Sequence, residues 1–157
     1  MTVRRAFLSL GSNMGDRAAH LRTGVTLVAG EDPYRVSRVY ETEPVGGVPQ
    51  DDYWNLVMEL TTTAPPRELL QRAQLAESAA QRTREVRWGP RTLDVDVLLV
   101  GDLVSDDPEI LVPHARMYER LFVLIPLREL APDLVTDDML TAAVGAVRAL
   151  DTLGSLG

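Results

Sequence analysis

The sequence contains no cysteine and no lysine, and all 16 of its basic residues are arginine. Without cysteine there is no disulfide, no thiol nucleophile and no thiolate zinc site, and two isolated histidines do not supply a structural zinc site instead. Without lysine there is neither a Schiff-base amine nor the phosphate-loop lysine of Walker-type nucleotide enzymes. A genome biased toward arginine codons is the ordinary cause of such a composition. The chemical consequence is the same: any phosphate must be held by guanidinium groups, helix ends or metal. No apolar run approaches the roughly 18 residues that a membrane span needs. The short apolar stretch after Arg4-Arg5 stops at Gly11-Ser12-Asn13, which reads as a strand rather than a signal peptide. A net charge of -7 argues against a general nucleic-acid binder, because the phosphate backbone rewards a basic face. The lack of cysteine fits a reduced, cytoplasmic setting.

What is present suits one domain over residues 1–157, expected as a monomer. A chain of this size buries roughly 68 to 70% of its unfolded surface, so a real core is available. The 45% hydrophobic and 25% charged content is that of an ordinary globular protein.

Residues 3–10 read as a first strand. From 16 to 29, Ala18, Leu21, Val25 and Val28 recur at helical spacing, with Asn13 or Asp16 as cap and Gly30 as stop. Residues 34–41 and 53–62 read as strands, and the span 42–52 between them, with Pro44, Gly46, Gly47 and Pro49, as a binding loop. Pro65 and Pro66 open a second helix reaching about residue 82, with Leu69, Ala73, Ala76 and Ala80 as its buried stripe. Residues 94–100 make the fourth strand. The order strand, helix, strand, strand, helix, strand predicts an α+β, ferredoxin-like split βαβ fold. It consists of a four-stranded antiparallel sheet with both helices on one face, followed by a C-terminal extension. In that extension, short helical pieces are expected over 115–120 and 123–130. A last helix is capped by Asp137 and carries a stripe of Leu140, Val144 and Val147, and the tail over 152–157 is expected to fray.

The chemistry concentrates in residues 82–100. Asp94 and Asp96 open a strand two residues apart, so both carboxylates point to one face, roughly 6 to 7 Å apart at the backbone. Two charges at the end of an otherwise apolar strand either open it in solvent or hold one or two Mg²⁺ ions. Arg82, Arg84, Arg87 and Arg91 form either a charged surface or a phosphate clamp on the turn that feeds this strand. Trp88 in that turn is core or ligand platform. Tyr53 and Asn55 share a strand face, where a ring and a carboxamide can read a flat polar heterocycle.

Residues 87–96, Arg-Trp-Gly-Pro-Arg-Thr-Leu-Asp-Val-Asp, resemble the signature of the 6-hydroxymethyl-7,8-dihydropterin pyrophosphokinase family of folate biosynthesis. Leu10-Gly11-Ser12-Asn13, residues 40–55 and the run from Val112-Pro113-His114 to Phe122 also resemble that family, in the same order. The resemblance implies a ferredoxin-like fold and transfer of pyrophosphate from ATP to the hydroxymethyl oxygen of the pterin, with two Mg²⁺ ions and release of AMP. It implies that Asp94 and Asp96 hold the metals and that Arg82, Arg84 and Arg91 bind the triphosphate as catalytic groups. Trp88 and Phe122 are expected to sandwich the pterin, with Thr42, Val45, Tyr53 and Asn55 at its edge. Gln74, Arg87, Val97, His114 and Arg120 match nucleotide-side positions, and Glu77 matches a family position on the same side. Tyr118 and Ala115 depart from the family pattern.

Two other classes share these features. One is a different metal-dependent phosphoryl or nucleotidyl transferase, which a non-pterin acceptor would reveal. The other is a ferredoxin-like regulatory module that binds a small molecule, against which the paired metal-binding carboxylates count.

Overall fold

The computed structural model of the chain describes residues 2–43, 50–81 and 92–156. β1 (Arg4–Ser12) leads into α1 (Arg17–Ala29), which Asp16 caps by accepting from the Ala19 N–H at 3.1 Å. There follow β2 (Tyr34–Val36), β3 (Tyr40–Thr42), β4 (Tyr53–Thr62), α2 (Pro66–Gln81) and β5 (Asp94–Val100). Beyond a 3-10 turn at Met117–Glu119 come α3 (Leu121–Leu130), α4 (Asp137–Ala142), β6 (Val147–Ala149) and α5 (Leu153–Leu156).

The protein is α+β with an antiparallel sheet in which β5, β1, β4, β3 and β6 lie side by side and β2 also pairs with β4. The expected four strands are therefore corrected to six among the described residues. One added strand arises because the run 34–41 breaks. Val36 pairs with Met58 but Tyr40 with Asn55, so three residues lie opposite two, which is a bulge. Ser37 fills the gap: its Oγ accepts from the Val57 N–H at 3.0 Å in place of a ladder carbonyl. The other added strand, β6, comes from the C-terminal extension and pairs with β3.

The sheet is covered on both faces. Ala6, Leu8 and Leu10 of β1 and Val95 and Val97 of β5 pack against Leu21, Val25 and Val28 of α1 and Leu69, Ala73 and Ala76 of α2, so both expected helical stripes are buried. Gly24 of α1 is needed for this approach, since a Cβ there would stand 2.9 Å from Leu10 Cδ2 and 3.0 Å from Leu93 Cδ2. On the opposite face Phe7, Val57 and Leu98 pack against Val123, Leu124 and Leu127 of α3. A register shift against β1 lets both Leu98 and Leu99 face α3, whereas Asp94 and Asp96 share the α3 side with Leu98 by strict alternation. The extension thus supplies the second half of the core.

Two further expectations in that extension are corrected. The last helix does not run on to Val147: it is capped by Thr136, whose Oγ1 accepts from Met139 N at 3.1 Å, and stops at Ala142. Val144 is 75% exposed, and Val147 has left the helix for the sheet. The tail is not frayed either, because Leu153 is buried against the α1 side of the core. No described helix is long and apolar enough to cross a membrane.

Candidate functional site

α3 covers only part of its sheet face, and the uncovered end of the sheet forms the floor of a cavity of about 440 Å³. One row of that floor runs Asp94, Gly11, Asn55 across β5, β1 and β4. With strands about 4.8 Å apart, the carboxylate and the carboxamide stand about 10 Å apart at the backbone, with no side chain between them. Asp96 and Ser9 pair in the next row, and Tyr53 and Thr42 continue the floor toward β3. Phe122, in the first turn of α3, and Arg120 just before it form one side, with the Arg120 guanidinium 5.6 Å from the centre of the Phe122 ring.

The polar groups of this floor are held in place. Asn55 is buried and its Nδ2 donates to Thr42 Oγ1 at 2.9 Å, which fixes the orientation of the carboxamide. At the cavity's rim Asn13 Nδ2 donates to Gln50 Oε1 at 2.8 Å and to the Asp51 carbonyl at 3.0 Å, and Arg17 donates to the Asp52 carbonyl at 2.8 Å. The Leu10-Gly11-Ser12-Asn13 motif therefore anchors the chain where it enters β4.

Asp94 and Asp96 both line the cavity and are half-buried. Asp96 Oδ1 lies 3.9 Å from His114 Nε2, while His114 Nδ1 accepts from the Arg116 N–H at 3.1 Å. Burial lowers the His114 pKa, Arg120 and Arg116 push the same way, and the Asp96 carboxylate opposes them. Among the described residues no group of three or more His, Asp or Glu forms an all-protein metal cage. Two hard carboxylates beside an open cavity fit Mg²⁺, which keeps several waters and completes its shell with substrate phosphates.

Seven sequence-predicted residues are thus brought together: Asp94, Asp96, Thr42, Tyr53, Asn55, Phe122 and Arg120. His114 stands beside them through Asp96. Three others are not cavity groups. Val97 is buried against α1 and α2 on the opposite face, Gln74 is exposed on α2, and Glu77 accepts from the Val95 N–H at 3.0 Å, satisfying a donor of the β5 strand. Val45, Arg82, Arg84, Arg87, Trp88 and Arg91 lie outside the described residues. The cavity also contains residues that the sequence did not assign to the site: Ser9, Gly11, Glu43, Gln50 and the segment 144–147. Alternation along the first strand could have placed Ser9 and Gly11 on one face. Nothing local marks 144–147.

A family model described as 7,8-dihydro-6-hydroxymethylpterin-pyrophosphokinase matches residues 7–132. The chain is 48% identical over 128 residues to a Bacillus subtilis protein named 2-amino-4-hydroxy-6-hydroxymethyldihydropteridine pyrophosphokinase, covering 80% of this chain and 77% of that one. It is 43% identical over 134 residues to a protein of the same name from Methylorubrum extorquens, covering 83% of this chain and 85% of the relative. Among solved structures, an HPPK–DHPS crystal structure in complex with substrates superposes with a TM-score of 0.62 at 12% identity, over 99% of this chain and 43% of the other. That last likeness speaks for the fold alone.

Proposed function

The chain belongs to the 7,8-dihydro-6-hydroxymethylpterin-pyrophosphokinase family and is a pyrophosphokinase; from that premise we propose that it uses MgATP and 6-hydroxymethyl-7,8-dihydropterin, within folate biosynthesis, and releases AMP. The observation that carries this is a single cavity lined by a carboxylate pair at one end of its floor and by a ring-and-carboxamide pair at the other. The floor's span of about 10 Å from Asp94 to Asn55 suits an acceptor whose flat end is read by Asn55 while its hydroxymethyl oxygen points toward the phosphates.

In the reaction, the hydroxymethyl oxygen forms a bond to the β-phosphorus of ATP in line with the bridging oxygen toward the α-phosphorus. That bridging P–O bond breaks, AMP leaves with its electrons, and the hydroxyl proton passes to solvent. Little covalent chemistry falls to the protein, so its work is positioning and charge stabilisation. Asn55, fixed by Thr42, offers its remaining donor and acceptor to the heterocycle's edge, where Tyr53 adds a further contact, and Phe122 bounds one of its faces. Asp94 and Asp96 would hold the two Mg²⁺ ions, which supply charge neutralisation on the triphosphate and lower the pKa of the attacking hydroxyl. Arg120 adds a fixed cation at the cavity's side. By motif, Arg82, Arg84 and Arg91 clamp the triphosphate, Arg87 and His114 serve the nucleotide, and Trp88 and Val45 complete the pterin site. The same motif gives Gln74, Glu77 and Val97 nucleotide-side positions, although none of the three lines the cavity.

The deciding experiment mixes the protein, MgATP and the hydroxymethyl pterin and resolves the nucleotide products. AMP appearing in step with pterin diphosphate is the expected result. ADP, or ATP turnover only with a different acceptor, would replace this function with that of another phosphoryl transferase.

A further inference from the structure

We propose that residues 144–147 form a specificity-determining rim of the acceptor pocket, setting the clearance for the ring that fits between Phe122 and Thr42; this rests on the pterin pyrophosphokinase activity proposed above. Val144, Gly145, Ala146 and Val147 line the same cavity as Asn55 and Asp94. The segment lies outside residues 7–132, so membership of the family assigns it no part in the site.

The segment is fastened at both ends to groups that already form the cavity. The Val144 N–H donates to the Glu119 carbonyl at 3.0 Å, and the Leu121 N–H donates to the Val144 carbonyl at 3.2 Å, so the chain is tied beside Phe122. At the other end Val147 pairs with Thr42 in the β3–β6 ladder, and Thr42 is the residue that orients Asn55. Opposed residues of an antiparallel pair project from the same face, so Val147 faces the cavity alongside Thr42. The adjacent pair, Arg148 and Glu41, points to the opposite face and is joined by a salt bridge, with Glu41 also accepting from the Trp54 indole at 3.1 Å. A slip of one residue would carry Val147 out of the cavity and break that ion pair, so the register is pinned.

The chemistry of the rim is apolar and small. Gly145 has φ +129°, a conformation that L side chains rarely adopt, so the rim stays open at that residue. Its neighbours Val144 and Ala146 therefore set the clearance. Val144 is 75% exposed, an isolated branched side chain at the mouth of a cavity whose floor is polar. None of the four residues carries a cation or a hydrogen-bonding side chain for phosphate, whereas their surface suits an uncharged ring. The carboxylate pair lies on β5, at the far edge of the sheet from β6. The rim thus discriminates between acceptors and leaves the nucleotide alone.

Steady-state kinetics on the full chain test this, with pterin varied at saturating MgATP and the reverse, for wild type, Ala146→Leu and Val144→Ser, and a thermal midpoint for each. A change of one or a few methylenes in an apolar pocket alters discrimination by about tenfold or more. Ala146→Leu is expected to raise the pterin KM about tenfold with kcat and the ATP KM nearly unchanged, the pattern of lost uniform binding. Val144→Ser is expected to raise the pterin KM about threefold, as the loss of a methylene-sized contact would. Because Val144 is exposed, its truncation leaves the fold intact and decides the matter even if the leucine variant is unstable. Unchanged pterin KM in the variants, or equal rises for both substrates, overturns the rim. Wild-type protein that makes no pterin diphosphate would instead refute the activity itself, and the rim would fall with it.

Discussion

Gly11 and Asn55 face each other across the β1–β4 ladder so closely that a Cβ on Gly11 would stand 2.5 Å from Asn55 Oδ1. Asn55 cannot swing away without losing the bond from its Nδ2 to Thr42. Gly11→Ala is therefore expected to cost about 2 kcal/mol of stability through overpacking and the strained carboxamide. The pterin KM should rise with it. Denaturant melts of Gly11→Ala, Asn55→Ala and the double variant check the relationship, because the alanine at 11 should cost much less once the carboxamide is gone. Additive losses would mean that the two residues do not interfere.

Asp94 is half-buried at the cavity and belongs to neither apolar core cluster. Asp94→Ala is expected to keep the fold, with kcat falling by about 100-fold or more, since outer partners of metal ligands alone are worth 10- to 100-fold. Near-normal AMP release from a folded variant would remove Asp94 from the metal site.

Phe122 lines the side of the cavity, with the Arg120 guanidinium 5.6 Å from its ring centre. Stacking of a heterocycle on an aromatic ring is worth about 1 to 3 kcal/mol, so Phe122→Ala should weaken pterin binding by about tenfold or more. ATP affinity should change little. Calorimetric titration with each ligand separates the two, and equal losses would contradict a stacking role.

His114 should titrate below the ordinary histidine value of about 6.5 in the metal-free protein, because burial and the two arginines outweigh the Asp96 carboxylate. Removing the opposing charge with Asp96→Asn should lower it further. Proton NMR of the imidazole reads both values, and a rise in the variant would show that the 3.9 Å contact is not electrostatically felt.

Away from the site, Arg72 of α2 donates to the Val28 carbonyl at the end of α1 and to Asp32 at 2.8 Å, while Asp32 also accepts from Thr62 Oγ1 at 2.6 Å. Burial works against the Asp32 charge, but Thr62 and Arg72 outweigh it and leave its pKa below the usual carboxylate value. The depressed value means that Asp32 contributes its full stabilisation above about pH 3.9, and loses it as the pH falls through the folded-state pKa. Asp32→Asn should cost about 1 kcal/mol at neutral pH. That difference from wild type should shrink toward zero in acid, whereas a constant difference from pH 7 to pH 2 would contradict the linkage.

The parts of the molecule legible in the sequence are those fixed by local periodicity. The β4 and β5 boundaries and the buried stripes of α1 and α2 follow from spacing of 2 and 3.6 residues, and the same alternation put Asp94 with Asp96 and Tyr53 with Asn55. Val97, which the motif places on the nucleotide side, alternates with Asp96 and so sends its side chain to the other face of the sheet. The stripe of Leu140, Val144 and Val147 failed because it carries a helical period past Ala142, where the helix ends in the extended backbone of Ala143.

The sequence by itself determined the family, the alternating faces of each strand and the residue types available for chemistry, because those depend on neighbours a few positions apart. Only the tertiary structure decided that β6 returns to pair with β3 and that segment 144–147 closes on Phe122. Likewise it decided that Gly11 must lack a side chain for Asn55 to face the cavity. Each of those depends on hydrogen bonds or close approaches between residues far apart in the chain, for which no local pattern exists to be read.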